Sequence, residues 1–105
     1  MKVGGKERKV KFGLNQSILY CELRKINITK MNEEYNSLST GDFNGSEFRD
    51  LLWSALKDGA RINKEAFEDD NLTVGDWLEE LTSEDIVSLM GELTGSMTVL
   101  KKKKK

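Results

Sequence analysis

Asn44-Gly45-Ser46-Glu47-Phe48-Arg49-Asp50-Leu51-Leu52-Trp53-Ser54-Ala55-Leu56-Lys57-Asp58-Gly59 is the stretch on which the reading of this chain turns. Phe48, Leu51, Leu52, Ala55 and Leu56 recur at helical spacing and share one face. Asn44 with Glu47 three residues on fits a capping box, in which the acid reaches back to the N–H of the capping residue. Gly59 is a good C-terminal stop. The pattern predicts a helix from Gly45 to about Asp58 with one buried face. Trp53 is not on that face. At 100° per residue it lies about 130° from the centre of the stripe. It must pack against a different element or lie at an interface, where Trp is enriched among hot spots.

Downstream, residues 61–71 are polar and acidic, with room for a short helical turn around Phe67. Thr73 with Asp76 reads as a second cap, opening a short helix with Val74, Trp77, Leu78 and Leu81. Trp77 falls on its apolar face and reads as core. Thr82 with Asp85 repeats the device. The last helix then sets Ile86, Leu89, Met90, Leu93, Met97 and Leu100 on one narrow stripe. Gly91 and Gly95 interrupt it at about 1 kcal/mol each relative to Ala, which predicts fraying after Thr94.

Upstream, Ser39-Thr40-Gly41-Asp42 is loop chemistry. Before it, Met31, Tyr35 and Leu38 space a short helix over 29–38. An earlier helix, capped by Asn15 and ending near Asn27, carries Ile18, Leu19, Leu23 and Ile26 on one face. Val10, Phe12 and Leu14 alternate with Lys9 and Lys11, the period of a half-buried strand. Gly4-Gly5 supplies the positive φ angles of a tight hairpin, with strands over roughly 1–4 and 7–13. The fold class that follows is mainly α, a small α+β domain. An N-terminal β-hairpin precedes a compact bundle of four to five short helices. Residues 1–100 form a single domain, and 101–105 are expected to be a disordered polylysine tail.

A chain of 105 residues buries about 65% of its unfolded surface, enough for one modest core. With 37% hydrophobic and 33% charged residues it reads as globular. Its apolar runs fall far short of the ~20 residues of a membrane span. Lys2 and two glycines lead no apolar stretch, so no secretory signal is expected. The one cysteine, Cys21, reads as a small buried apolar side chain. There is no histidine. A Cys–His nucleophile is therefore excluded, as is a zinc site of the usual Cys/His type. The glycines match neither a P-loop nor a dinucleotide fingerprint. Glu79-Glu80 and Glu84-Asp85 sit where acids complement helix starts and ends. The chain reads as a non-enzyme with no cofactor and no metal.

Charge is unevenly placed. Residues 1–30 hold eight basic and two acidic groups, whereas residues 65–100 hold ten acidic groups and no basic one. Setting aside Lys101–Lys105, twelve basic groups face eighteen acidic ones, near -6. Such a body is a poor nucleic-acid binder. The polarity could steer one copy head-to-tail onto another, or simply keep the surface soluble.

The order of these pieces carries a resemblance. A Gly-Gly hairpin leads to Lys9-Val10-Lys11-Phe12-Gly13-Leu14 and a helix with Ile18, Leu19, Glu22 and Leu23. The helix Phe48-Arg49-Asp50-Leu51-Leu52-Trp53-Ser54-Ala55-Leu56-Lys57 follows. Thr73-Val74-Gly75-Asp76-Trp77-Leu78 and a final amphipathic helix complete it. Over roughly residues 1–95 this resembles the tail assembly chaperones of long-tailed bacteriophages and prophages, especially those of Gram-positive hosts. The Leu-Leu-Trp-Ser-Ala-Leu helix is the most specific element.

The resemblance implies a non-enzymatic role. The protein would bind the aggregation-prone tape-measure protein and help the tail tube protein polymerise around it. It would work in the cytoplasm of the bacterial host and be absent from the mature virion. The family also implies a longer form of the same protein made by programmed frameshifting. Lys101–Lys105 is where an A-rich slippery sequence would lie; an appended tail and an ordinary solvated tail are the other readings. The expected contacts are Trp53, Met90, Leu93 and Met97, since methionine suits a surface that accepts imperfect partners. A homo-oligomer is how copies would line up along one client; neither nucleic acid nor membrane is an expected partner. The rival readings are a virion component, a helix-turn-helix regulator and a small interaction module with an acidic face.

Overall fold

The computed structural model describes residues 2–40 and 44–103, with the side chains of residues 39, 93, 94 and 96–103 excepted. Strands β1 (Lys2–Val3) and β2 (Lys6–Glu7) pair antiparallel, with Lys2 opposite Glu7 and Val3 opposite Lys6. Five helices follow: α1 (Leu14–Arg24), α2 (Ile28–Thr40), α3 (Gly45–Ile62), α4 (Asn71–Glu79) and α5 (Ser83–Lys103). The chain is thus mainly helical with an N-terminal hairpin, as its patterning requires. Gly4 and Gly5, at φ 62° and 80°, form the two-residue turn between the strands.

The central helix is α3. Asn44 Oδ1 accepts from the Glu47 N–H at 3.0 Å, and Glu47 Oε1 accepts from the Asn44 N–H at 2.9 Å. The capping box is therefore complete. Phe48, Leu51, Leu52, Ala55 and Leu56 are all buried, as their spacing demands. Each fully buried leucine contributes about 2 kcal/mol from area removed from water.

Gly59 does not end this helix. The helix continues to Ile62, and Lys64 at φ 56° turns the chain. Gly59 is instead a point of close approach. A Cβ there would collide with the Lys9 carbonyl oxygen and stand 2.9 Å from Val10 Cα. Just before it, the Lys11 N–H donates to the Ala55 carbonyl at 3.1 Å. The segment 8–12 thus crosses α3 closely, its Lys11 N–H bonded to that helix rather than to a neighbouring strand. This is why the second strand stops at Glu7 instead of spanning 7–13. Val10 and Phe12 still pack against the core, whereas Leu14 is 72% exposed.

α1 begins two residues earlier than expected, with Gly13 at its N-cap and no side-chain cap, so Asn15 does not cap it. It ends at Arg24, where Lys25 adopts a left-handed conformation. The face it buries is Gln16, Tyr20 and Cys21. The expected stripe of Ile18, Leu19, Leu23 and Ile26 is at best half-buried, and Ile18 is 41% exposed. α2 is capped by Asn27, whose Oδ1 accepts from the Lys30 N–H at 2.9 Å. Met31, Tyr35 and Leu38 are buried as spaced. Ser39 and Thr40 remain helical, while Gly41 and Asp42 lie outside the described residues.

Residues 65–70 form no helical turn around Phe67, which is buried and anchors the connection. α4 is capped by Asp70, not Thr73: Asp70 Oδ1 accepts from the Thr73 N–H at 2.8 Å. That hydrogen bond holds the Asp70 carboxyl below its ordinary range. Trp77 is half-buried, edge-on to Phe67 at 6.3 Å between ring centroids. It closes over Gly4, where a Cβ would come within 2.7 Å of the indole. The Arg8 guanidinium lies 4.3 Å from the Trp77 ring and donates through Nε to the Val3 carbonyl at 2.8 Å. These contacts fix the hairpin to α4.

Thr82 and Asp85 cap α5 reciprocally, at 3.1 and 3.4 Å. Leu89 is buried, and Ile86 and Met90 pack at its sides. The helix does not fray at Thr94. It runs through Gly91 and Gly95 to Lys103, so the first three lysines of the expected tail continue it.

Candidate functional site

α1 runs antiparallel to α3: Gln16 meets Ser54, and Arg24 meets Asp50. Two things result from this pairing, a buried polar network at one end and an open groove at the other.

The network is centred on Arg24. Its Nε donates to Glu34 Oε1 and its Nη1 to Asp50 Oδ2, both at 2.8 Å. Tyr20 Oη donates to Glu34 Oε1 at 2.7 Å. Asp50 Oδ1 also accepts from Arg49 Nε and Asn71 Nδ2, each at 2.9 Å. Four helices are thereby joined through two buried carboxylates. Burial, and then the hydrogen bond to Glu34, push the Tyr20 phenol far above its ordinary value. Beside it Gln16 Nε2 donates to Tyr35 Oη and Ser54 Oγ, both at 2.9 Å. Burial also raises the Cys21 thiol, leaving it a protonated, apolar side chain. The groups of the network bond to one another and hold the helices together, while Gln16 Oε1 is buried with no donor among the described residues.

The groove lies at the other end, between the start of α1 and the last turns of α3. It encloses about 560 Å³. Ile18, Leu19 and Phe67 give it apolar walls, and Lys57, Asp58 and Arg61 of α3 complete them. Leu14 precedes Ile18 by one turn on the same face and is the most exposed large apolar side chain of the described residues. Sequence periodicity reads Ile18 and Leu19 as core and Leu14 as the end of a strand. The signal that could have placed them outside is Gln16, Tyr20 and Arg24, a polar-tipped row at the same i, i+4 spacing.

A second hollow of about 490 Å³ lies between the hairpin, α4 and α5. Glu80, Asp85 and Glu92 outnumber Lys2 along it, over a floor of Val3, Leu81 and Leu89.

The sequence-predicted contact residues are placed as follows. Trp53 is half-buried, and its indole N–H donates to the Asp69 carbonyl at 3.0 Å. The Lys57 ammonium is 5.8 Å from its ring. The off-stripe tryptophan thus packs on the connection before α4. Met90 is half-buried on α5. Trp53 and Met90 line neither hollow. Leu93 and Met97 continue the α5 stripe, but their side chains lie outside the description. Among the described residues no helix is long and apolar enough to cross a membrane.

Comparison with protein-family models, with curated proteins and with solved structures finds no match, so the functional reading rests on this chain's own residues and geometry.

Proposed function

We propose that this protein is a non-enzymatic tail assembly chaperone of a long-tailed phage or prophage, binding the tape-measure protein while the tail tube assembles. The observation that carries the reading is the open groove of α1 and α3, flanked by exposed Leu14 and Ile18. An apolar recess beside exposed apolar side chains is a protein-binding feature in a small monomer. A helical client segment would lie in it, helix in groove. The order of motifs along the chain supplies the rest of the reading, including action in the host cytoplasm, self-association and absence from the finished virion.

The α5 stripe with Met90, Leu93 and Met97, together with Trp53, is the second contact surface of this reading. Trp53 takes part by the exposed portion of its ring, since its N–H is engaged with Asp69.

Co-expression tests the proposal. The chain should keep overlapping helical segments of the neighbouring tape-measure reading frame in solution and co-elute with at least one. Segments that stay insoluble, with no complex on size exclusion, would overturn it. Abundant protein in purified particles would select a virion component instead. Trp53→Ala that folds normally and leaves client binding unchanged would remove Trp53 from the contact surface.

A further inference from the structure

We infer that the hollow between the hairpin, α4 and α5 is a second docking surface, which receives a basic amphipathic segment of a partner protein. Lysine or arginine side chains of that segment meet the acidic rim, and its apolar side chains meet the floor. The inference does not depend on the groove of α1 and α3 or on its client.

The rim consists of charges that folding leaves unpaired. Glu80 caps the end of α4, and Asp85 and Glu92 lie about two turns apart on α5. All three are exposed, and among the described residues no cation pairs with them. The buried carboxylates of Glu34, Asp50 and Asp58, in contrast, each have an arginine. Lys2 is the single cation of the lining, and residues 65–100 supply ten acidic groups and no basic one. Charge complementarity therefore calls for a cation from outside the chain.

The floor decides what carries that cation. Val3 and Leu89 are buried, and half-buried Trp77 and Leu81 complete an apolar surface. At about 490 Å³ the recess has the size of a binding cleft. Among the described residues no three acids gather closely enough to hold a bare metal ion. A lysine or arginine suits both parts of the hollow, since its methylene stem covers apolar surface while its head reaches a carboxylate. Carboxylates on two helices call for more than one such head, and the floor between them for an apolar neighbour. That combination is a basic amphipathic segment. Nucleic acid is repelled by the same rim.

The test is an NMR titration of the full chain with three synthetic peptides of one amphipathic pattern, built from leucine and lysine, leucine and glutamate, or serine and lysine. The leucine–lysine peptide should shift the amides of Gly4, Gly5, Leu81, Ser88 and Leu89, and its binding should weaken with salt. The leucine–glutamate peptide should not bind, and the serine–lysine peptide should bind about tenfold more weakly. Glu80→Gln combined with Glu92→Gln, both at exposed positions, should weaken the leucine–lysine peptide about fivefold with the fold retained. Shifts confined to the groove of α1 and α3, or indifference to the double variant, would overturn the inference. Equal binding of the lysine and glutamate peptides, or of the two lysine peptides, would do the same. A double variant that abolishes concentration-dependent self-association, with no peptide bound by the parent chain, would give the hollow to a second copy and overturn it as well.

Discussion

Two helices of this chain, α3 and α5, read alike in sequence and live differently in the fold. Each opens on a reciprocal cap, Asn44 with Glu47 and Thr82 with Asp85. Each carries an apolar stripe and glycine within its span. Yet α3 buries residues almost all round, including Glu47, Asp50, Ser54 and Asp58. In α5, over its described side chains, Leu89 alone is buried while Val87 is 69% exposed. The amphipathic period says that a helix has an inside face; it does not say how many neighbours will cover the others. α3 is wrapped by α1, α2, α4 and the segment 8–12, and its Asp50 and Ser54 are drawn into hydrogen bonds with α1 and α4. α5 leans on the body along one edge.

That contrast can be broken first at the polar network around α3. Arg24→Ala leaves Asp50 and Glu34 buried without their shared cation and should cost about 4 kcal/mol in urea unfolding. A loss below about 1 kcal/mol would mean that the carboxylates find water and that α3 is less enclosed than described. Gly59→Ala comes next. Its methyl group meets the Lys9 carbonyl, a backbone atom that cannot rotate away, so about 3 kcal/mol should be lost. Free acceptance of alanine would separate segment 8–12 from α3.

Leu89→Ala probes the other helix. With one covered side to lose, it should cost about 2 kcal/mol, whereas Leu52→Ala at the centre of α3 should cost more. Equal losses would erase the distinction between the two helices.

The Tyr20 phenol adds a pH signature. Burial raises its folded-state value above the ordinary one near 10. Its contribution is therefore complete below about pH 10 and is lost as pH rises further, because ionisation must occur in the buried site. Tyr20→Phe should flatten that alkaline loss, at about 1 kcal/mol of stability at neutral pH for the missing hydrogen bond to Glu34. Superimposable alkaline profiles would move the titration elsewhere.

The smallest effect is a gain. Gly91 is exposed, and a Cβ there meets nothing within 4 Å. Gly91→Ala should stabilise by about 0.5 to 1 kcal/mol. The same substitution thus has opposite signs in the two helices, and a matched pair of urea curves measures both.

The groove was only partly legible. Ile18 and Leu19 carry the apolar character that marks a face of α1, and the period put that face inside, while Leu14 reads as the end of the strand pattern. What reversed it was Tyr20 and Arg24, whose long side chains reach Glu34 of α2 and Asp50 of α3 and turn the helix about its axis. The burial of Asp58 Oδ2 without a donor has no sequence signal, since it depends on how the neighbouring elements pack around α3. The four contact residues chosen from sequence fall on α3 and α5, away from this groove in the case of Trp53 and Met90.

Sequence by itself determined what depends on neighbours within a turn or two. The Gly4-Gly5 hairpin, the caps at Asn44 and Thr82, the spacing of Met31, Tyr35 and Leu38, and the buried stripe of α3 are all of this kind. Local hydrogen bonds and side-chain periodicity are fixed by residues a few positions apart, so they can be read along the chain. Tertiary structure alone decided where α3 ends, why Gly59 is small, which face of α1 turns inward and how Arg24 joins two buried carboxylates. Each of those depends on groups tens of residues away whose desolvation is repaid only when they meet, and no local period encodes such a meeting.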